Sequence, residues 1–165
     1  MAFGKYVIGT LGIGSVYYAV PALKSDPVPT FPLAAQVVFD RIEAKERVVN
    51  GTGMGSLRLT ASRLDDGLLR VSVKKAGNPK SVPCQVIITA IAADRSSANV
   101  DCSQPQLPDQ PMRRVGVKAL EMVVREHVAA TAGNREYNVD AVADRMIGLA
   151  ITERATFAAS MQEKR

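Results

Sequence analysis

The sequence predicts an α+β domain. We expect a small antiparallel sheet of about four strands, covered by an N-terminal helix and two C-terminal helices and preceded by a transmembrane or signal helix. Three observations lead there: an uncharged apolar start, alternating apolar residues in the middle, and apolar residues at helical spacing towards the end. The 165 residues suffice for one domain and a short appendage. The expected order is an anchor or signal peptide over 1–24, a Pro-rich spacer over 25–32 and one domain over 33–165.

The N-terminal segment carries no charge from residue 6 to residue 23, YVIGTLGIGSVYYAVPAL. Its length lies between that of a signal peptide's hydrophobic region and that of a membrane-spanning helix. A spanning helix would place Tyr6 near one membrane interface and Tyr17 and Tyr18 near the other, as in an aromatic belt. We favour an uncleaved anchor, and the alternatives are a cleaved signal peptide and a buried core element.

Small residues recur along this segment, among them Gly9 and Gly12. They would let a second helix approach closely in lipid, although glycine is common in any membrane segment. Membrane lipid is therefore the first expected partner. We expect the body to lie outside the cytoplasm, facing the periplasm from a bacterial inner membrane, or to be released there if the segment is cleaved.

The first helix of the domain is predicted over 33–47. Thr30 would cap this helix and Pro32 would occupy its first turn. The glycine-rich run that follows, NGTGMG, ends the helical pattern. The apolar stripe consists of Leu33, Val37, Val38 and Ile42.

Two hairpins are predicted in the middle of the chain. Apolar and polar residues alternate over 57–61 and again over 69–73, and the DDG sequence at 65–67 forms the turn between them. The most apolar strand covers 84–93, CQVIITAIAA, which we place centrally in the sheet, and 98–103 returns beside it.

The two cysteines of the chain, Cys84 and Cys102, lie on the two arms of the second hairpin. Outside the cytoplasm, a pair placed in this way is expected to form a disulfide. The alternative is a pair of buried thiols. The spacing of the two residues excludes CxxC redox and zinc motifs.

Two helices are predicted at the end, over 113–130 and 139–161, the second capped by Asn138 or Asp140. The single histidine, His127, lies on the apolar stripe of the first helix. We expect its ring to pack in the interior and to interact favourably with the negative end of the helix dipole.

Charge and motifs exclude several functions. The chain carries +5, but Lys5 and Lys24 precede the body, which leaves 19 basic and 16 acidic residues and a charge of +3. The basic residues, such as Arg41, Lys45 and Arg47, are spread among acids, so nucleic acid is not an expected partner. No catalytic or metal-binding motif is present, and the sequence predicts neither an enzyme nor a cofactor.

The order of a helix, a sheet of about four strands and a long C-terminal helix resembles the START or polyketide-cyclase-like helix-grip fold. Residues 31–42, FPLAAQVVFDRI, are similar to the first helix of membrane-anchored members of that group. The resemblance covers about residues 31–130. It implies an apolar cavity between the sheet and the long helix that accepts a hydrophobic ligand, and it transfers no functional residue.

Two functions follow as expectations. The first is a non-enzymatic, membrane-anchored extracytoplasmic domain that acts as a binding or assembly component of the cell envelope, with a protein partner. The alternative is a helix-grip-like carrier or binder of a small hydrophobic ligand.

Overall fold

The computed structural model describes residues 28–104 and 110–162, and within them the chain forms six strands and four helices. The fold is α+β, as predicted. In chain order the elements are β1 (Thr30–Phe31), α1 (Ala35–Glu43), β2 (Arg47–Val49), β3 (Leu57–Asp65), β4 (Leu68–Lys75), β5 (Ser81–Ala92), β6 (Arg95–Asp101), α2 (Pro111–Ala132), α3 (Val139–Thr152) and α4 (Arg154–Gln162).

The strands form one antiparallel sheet in the order β1-β6-β5-β4-β3-β2. Both predicted hairpins are present, and β5 lies inside the sheet between β4 and β6. One face of the sheet is buried and the other is open to solvent, because apolar and polar residues alternate along β3 to β6. The predicted fold class and the central hairpins are therefore confirmed.

The turn between β3 and β4 depends on Gly67. Its φ angle is 76°, and a Cβ atom at this position would lie 3.0 Å from the carbonyl oxygen of Ile88. The amide of Ile88 donates to the Gly67 carbonyl oxygen at 2.8 Å. Only glycine combines this backbone conformation with so close an approach of β5.

The sheet has six strands rather than about four, because two short edge strands were missed. Thr30 does not cap a helix. It lies in β1 and pairs with Ser97 of β6, and this pairing buries Phe31. At the other edge, β2 occupies the end of the predicted helix 33–47. The β-branched Val48 and Val49 favour an extended backbone, and pairing with β3 buries Val49. Helix α1 therefore ends at Glu43.

Arg63 of β3 contacts helix α1 through both an aromatic ring and two carboxylates. The Arg63 guanidinium lies 4.1 Å from the ring centroid of Phe39 and bonds to the carboxylates of Asp40 and Glu43. Because Phe39 is buried and the three charged groups are partly exposed, apolar contact contributes most of the attachment.

The second predicted C-terminal helix, 139–161, is two helices, α3 and α4, separated at Glu153. The hydroxyl of Thr152 donates to the carbonyls of Gly148 and Leu149, a pattern that bends helices. Asn138 caps α3 by accepting from the amide of Ala141 at 2.9 Å, which confirms one of the two predicted caps.

The core lies between the sheet and helices α1 to α3 and forms one continuous cluster. Sheet and helix side chains are in contact throughout, with most of them almost fully buried. The central members are Leu59, Leu69, Val71 and Val86 from the sheet and Val38, Ile42, Val123, Val124 and Val128 from the helices.

Cys84 and Cys102 belong to this core. Their neighbours Gln85 and Asp101 are paired in the β5–β6 register, and the two sulfur atoms lie 2.01 Å apart, the distance of a disulfide bond. Both residues are fully buried beneath the helices.

Among the described residues, no helix is long and apolar enough to cross a membrane. The predicted anchor, residues 1–24, including Tyr6, Gly9, Gly12, Tyr17 and Tyr18, lies outside the described residues.

We predict that replacing both cysteines, Cys84→Ala with Cys102→Ala, lowers the free energy of unfolding by about 3 kcal/mol, because the closed loop of 18 residues no longer restricts the unfolded chain. Urea unfolding measures the loss. Reduced wild-type protein is the control, since it keeps both side chains and loses only the bond. Equal stability of the oxidised and reduced proteins would contradict the prediction.

Candidate functional site

A cleft of about 920 Å³ lies where the ends of α1 and α2 meet the edge strand β2. We call it the basic cleft, because four of its lining side chains are cationic. Its principal residues are Arg41, Lys45, Arg47, Thr131, Arg135 and Glu136.

Three of the cations come from one short stretch of chain. Arg41 lies in the last turn of α1, Lys45 in the connection and Arg47 at the start of β2. The Arg41 guanidinium donates to the carbonyl oxygen of Ala132 at 2.6 Å, so it also joins α1 to the last turn of α2. The early end of α1 therefore brings the three charges to one side of the molecule.

Arg47 lies against an aromatic ring. Its guanidinium carbon is 5.6 Å from the ring centroid of Tyr137, within the range of a cation–π contact. The hydroxyl of Tyr137 donates to the carbonyl oxygen of Val123 at 3.3 Å, and burial raises the pKa of this hydroxyl. Tyr137 is thus a neutral support that fixes Arg47 at the cleft.

The fourth cation, Arg135, belongs to a network centred on Glu126. Both Glu126 oxygens accept from Arg135, and one also accepts from the amide of Asn138 at 2.8 Å. Burial acts to raise the pKa of Glu126, but these hydrogen bonds outweigh it and hold that pKa below its ordinary value. The Glu126 network ties α2 to the start of α3 and holds Arg135 at the cleft.

His127 lies in the interior behind the basic cleft. Its side chain is fully buried, and neither ring nitrogen has a hydrogen-bond partner within the described residues. Burial, with the nearby positive charges of Arg47 and Lys45, lowers the pKa of His127 to about 4. The lowered pKa favours the neutral imidazole at pH 7. The predicted packing is confirmed, and the predicted interaction with the helix dipole stays a prediction.

The sequence-predicted site residues do not assemble into this site. Cys84 and Cys102 lie in the core, and the anchor residues are not described. The cleft itself was missed, because Arg41, Lys45 and Arg47 are interleaved with acids in the sequence and converge only once α1 ends at Glu43. Their close spacing within 41–47 was the one available signal. The described part of the chain contains no group of three residues suited to hold a metal ion.

Comparison with known proteins gives no relative: no protein-family model, no curated protein and no solved structure matches this chain.

We predict that acid destabilises the protein through His127. Its folded pKa of about 4 is below the unfolded value of 6.5, so the unfolded chain binds the extra proton and stability is lost as the pH falls from 6.5 towards 4. The expected loss is about 2 kcal/mol between pH 7 and pH 5, where carboxylates still stay ionised. His127→Leu should remove this slope in urea unfolding. The same slope in both proteins would contradict the assignment.

We also predict that Glu126→Gln lowers the free energy of unfolding at pH 7 by about 1 to 2 kcal/mol, because a buried carboxylate that accepts from Arg135 and from the Asn138 amide is replaced by a neutral amide. The matched control is Glu136→Gln, an exposed carboxylate nearby, which should change stability by no more than about 0.5 kcal/mol. Equal effects of the two substitutions would show that the Glu126 network does not stabilise the fold.

Proposed function

We propose that this chain is a membrane-anchored extracytoplasmic binding component of the cell envelope, held in the bilayer by residues 1–24 and binding its ligand in the basic cleft. The observation that carries the proposal is the Cys84–Cys102 pair at disulfide distance. Structural disulfides persist in oxidising compartments and are rare in the cytoplasm. The pair therefore supports a position outside the cytoplasm.

The basic cleft supports binding as the activity. It is a concave surface that collects charged and polar groups from α1, β2 and α2, as ligand sites do. A catalytic role has little support from His127, because its side chain is fully buried and reaches no substrate. A binding component fits these groups better than an enzyme does.

The alternative function, a carrier of a hydrophobic ligand, stays a prediction. The order of α1, strands β3 to β6 and α2 keeps the pattern on which the helix-grip resemblance rests. The apolar side chains between α2 and the sheet, however, form one packed cluster, in which Val123, Val124 and Val128 have no exposed surface. A hydrophobic ligand would have to displace these contacts, so we place the binding site in the cleft.

Thiol trapping tests the proposed location. The full chain is expressed in a bacterium, cells are quenched in acid, and a maleimide labels whatever thiols are exposed after denaturation. We expect the protein in the membrane fraction, with both cysteines labelled only after reduction. The control lacks residues 2–24 and should be labelled without reduction, since it would stay in the cytoplasm.

Two other outcomes are decisive. Oxidised protein in the periplasmic soluble fraction would support the extracytoplasmic location and would indicate that residues 1–24 are a cleaved signal peptide and not an anchor. Labelling of the full chain without reduction, in the cytoplasmic fraction, would contradict the proposed function.

A further inference from the structure

We propose that the basic cleft binds a phosphate group, carried either by a small soluble molecule or by a lipid headgroup. This inference rests on the proposed function, since it names the ligand class of the same cleft.

The charge of the cleft suits a phosphate. Four of the lining side chains are cationic and two are carboxylates, which leaves a charge of +2. A phosphate monoester carries about −1.5 to −2 at pH 7, so it would neutralise the site, whereas a single carboxylate would leave it positive. The cations are Arg41, Lys45, Arg47 and Arg135, and the carboxylates are Glu46 and Glu136.

Three of these cations keep donors for a ligand. Arg135 is engaged by Glu126, but Arg41 uses its Nη1 on a backbone carbonyl and retains its other N–H groups. Within residues 28–104 and 110–162, Lys45 and Arg47 form no ion pair with a carboxylate. Charge-assisted bonds from guanidinium and ammonium groups are the usual means of phosphate recognition.

Two polar atoms in the wall of the cleft also lack a partner. The hydroxyl of Thr131 and Nε of Arg47 are buried and make no hydrogen bond to any described residue. Buried donors of this kind are normally satisfied, and an unsatisfied one is costly. A phosphate oxygen at the cleft would supply an acceptor that no described residue provides.

The cations of the basic cleft differ from charged residues elsewhere on the surface. Arg58, on the neighbouring strand outside the cleft, pairs at 3.3 Å with Glu46 of the cleft lining, and both side chains are more than half exposed. That pair is screened by water and contributes little. Arg41, Lys45 and Arg47 instead converge from three consecutive pieces of chain on one concave surface.

Calorimetric titration with inorganic phosphate tests the inference, with the full chain in nanodiscs of phosphatidylcholine. We expect saturable binding, and Lys45→Gln should weaken it at least about ten-fold, the effect of losing one charge-assisted bond. Lys45→Arg keeps the charge and should retain most of the affinity. Lys45 is exposed, so neither substitution disturbs the core.

Two comparisons make the test specific. Arg95→Gln removes one exposed cation from β6, which three strands separate from β2, and should leave phosphate binding unchanged. Acetate, a single carboxylate, should bind at least about ten-fold more weakly than phosphate. The inference is overturned if phosphate does not saturate, if acetate binds equally well, or if Arg95→Gln weakens binding as much as Lys45→Gln does.

The lipid composition of the nanodiscs distinguishes a lipid headgroup from a soluble phosphate as the ligand. If the ligand is a headgroup, nanodiscs containing phosphatidic acid should occupy the cleft and abolish the titration with inorganic phosphate. If the ligand is soluble, the titration should be the same in both lipids. If the location test fails but phosphate still binds, the proposed envelope function is wrong and the phosphate site stands. The two proposals can therefore fail separately.

Discussion

The fold depends on the enclosure of the second half of α2. Of the ten residues from Val123 to Ala132, eight are buried, which a helix lying on a flat surface cannot achieve. The sheet covers one side, α1 a second, and the connection to α3 a third. Two of these elements make a specific contact with α2: Arg41 of α1 donates to the Ala132 carbonyl, and Tyr137 of the connection donates to the Val123 carbonyl.

The three buried polar residues of this half-helix differ in how enclosure affects them. Glu126 keeps its charge because Arg135 and the Asn138 amide surround it. Burial, with the nearby charges of Arg47 and Lys45, lowers the pKa of His127 and favours its neutral form. The hydroxyl of Thr131 is left without a described partner at the wall of the cleft.

Features that depend on residues close together in the chain could be predicted from the sequence. Alternation along 57–61 and 69–73, the turn at Gly67 and the asparagine cap of α3 are properties of neighbouring residues, and all are present in the structure. The edge strands were not predictable from such patterns, because two or three residues such as Thr30 and Phe31 become a strand only when β6 lies beside them. The break at Glu153 differs from the edge strands, since it lies beside a local contact, the bonds from the Thr152 hydroxyl to carbonyls of its own helix.

The basic cleft was beyond the reach of sequence reasoning for a related reason. Arg135 is distant in the chain from Arg41 and Lys45, and no spacing rule joins them. Only the packing of α1 against the end of α2 makes them neighbours. The positive charges of Arg47 and Lys45 also act on the interior, because they contribute to the lowered pKa of the buried ring of His127.

The most direct test of this link is the pKa of His127, measured by NMR from its imidazole signals, which are unambiguous because the chain has a single histidine. Without phosphate we expect a pKa of about 4, and saturating phosphate should raise it, because the bound anion offsets the field of Arg47 and Lys45. A pKa near 6.5 that phosphate does not change would contradict both the enclosure of α2 and the position of the site.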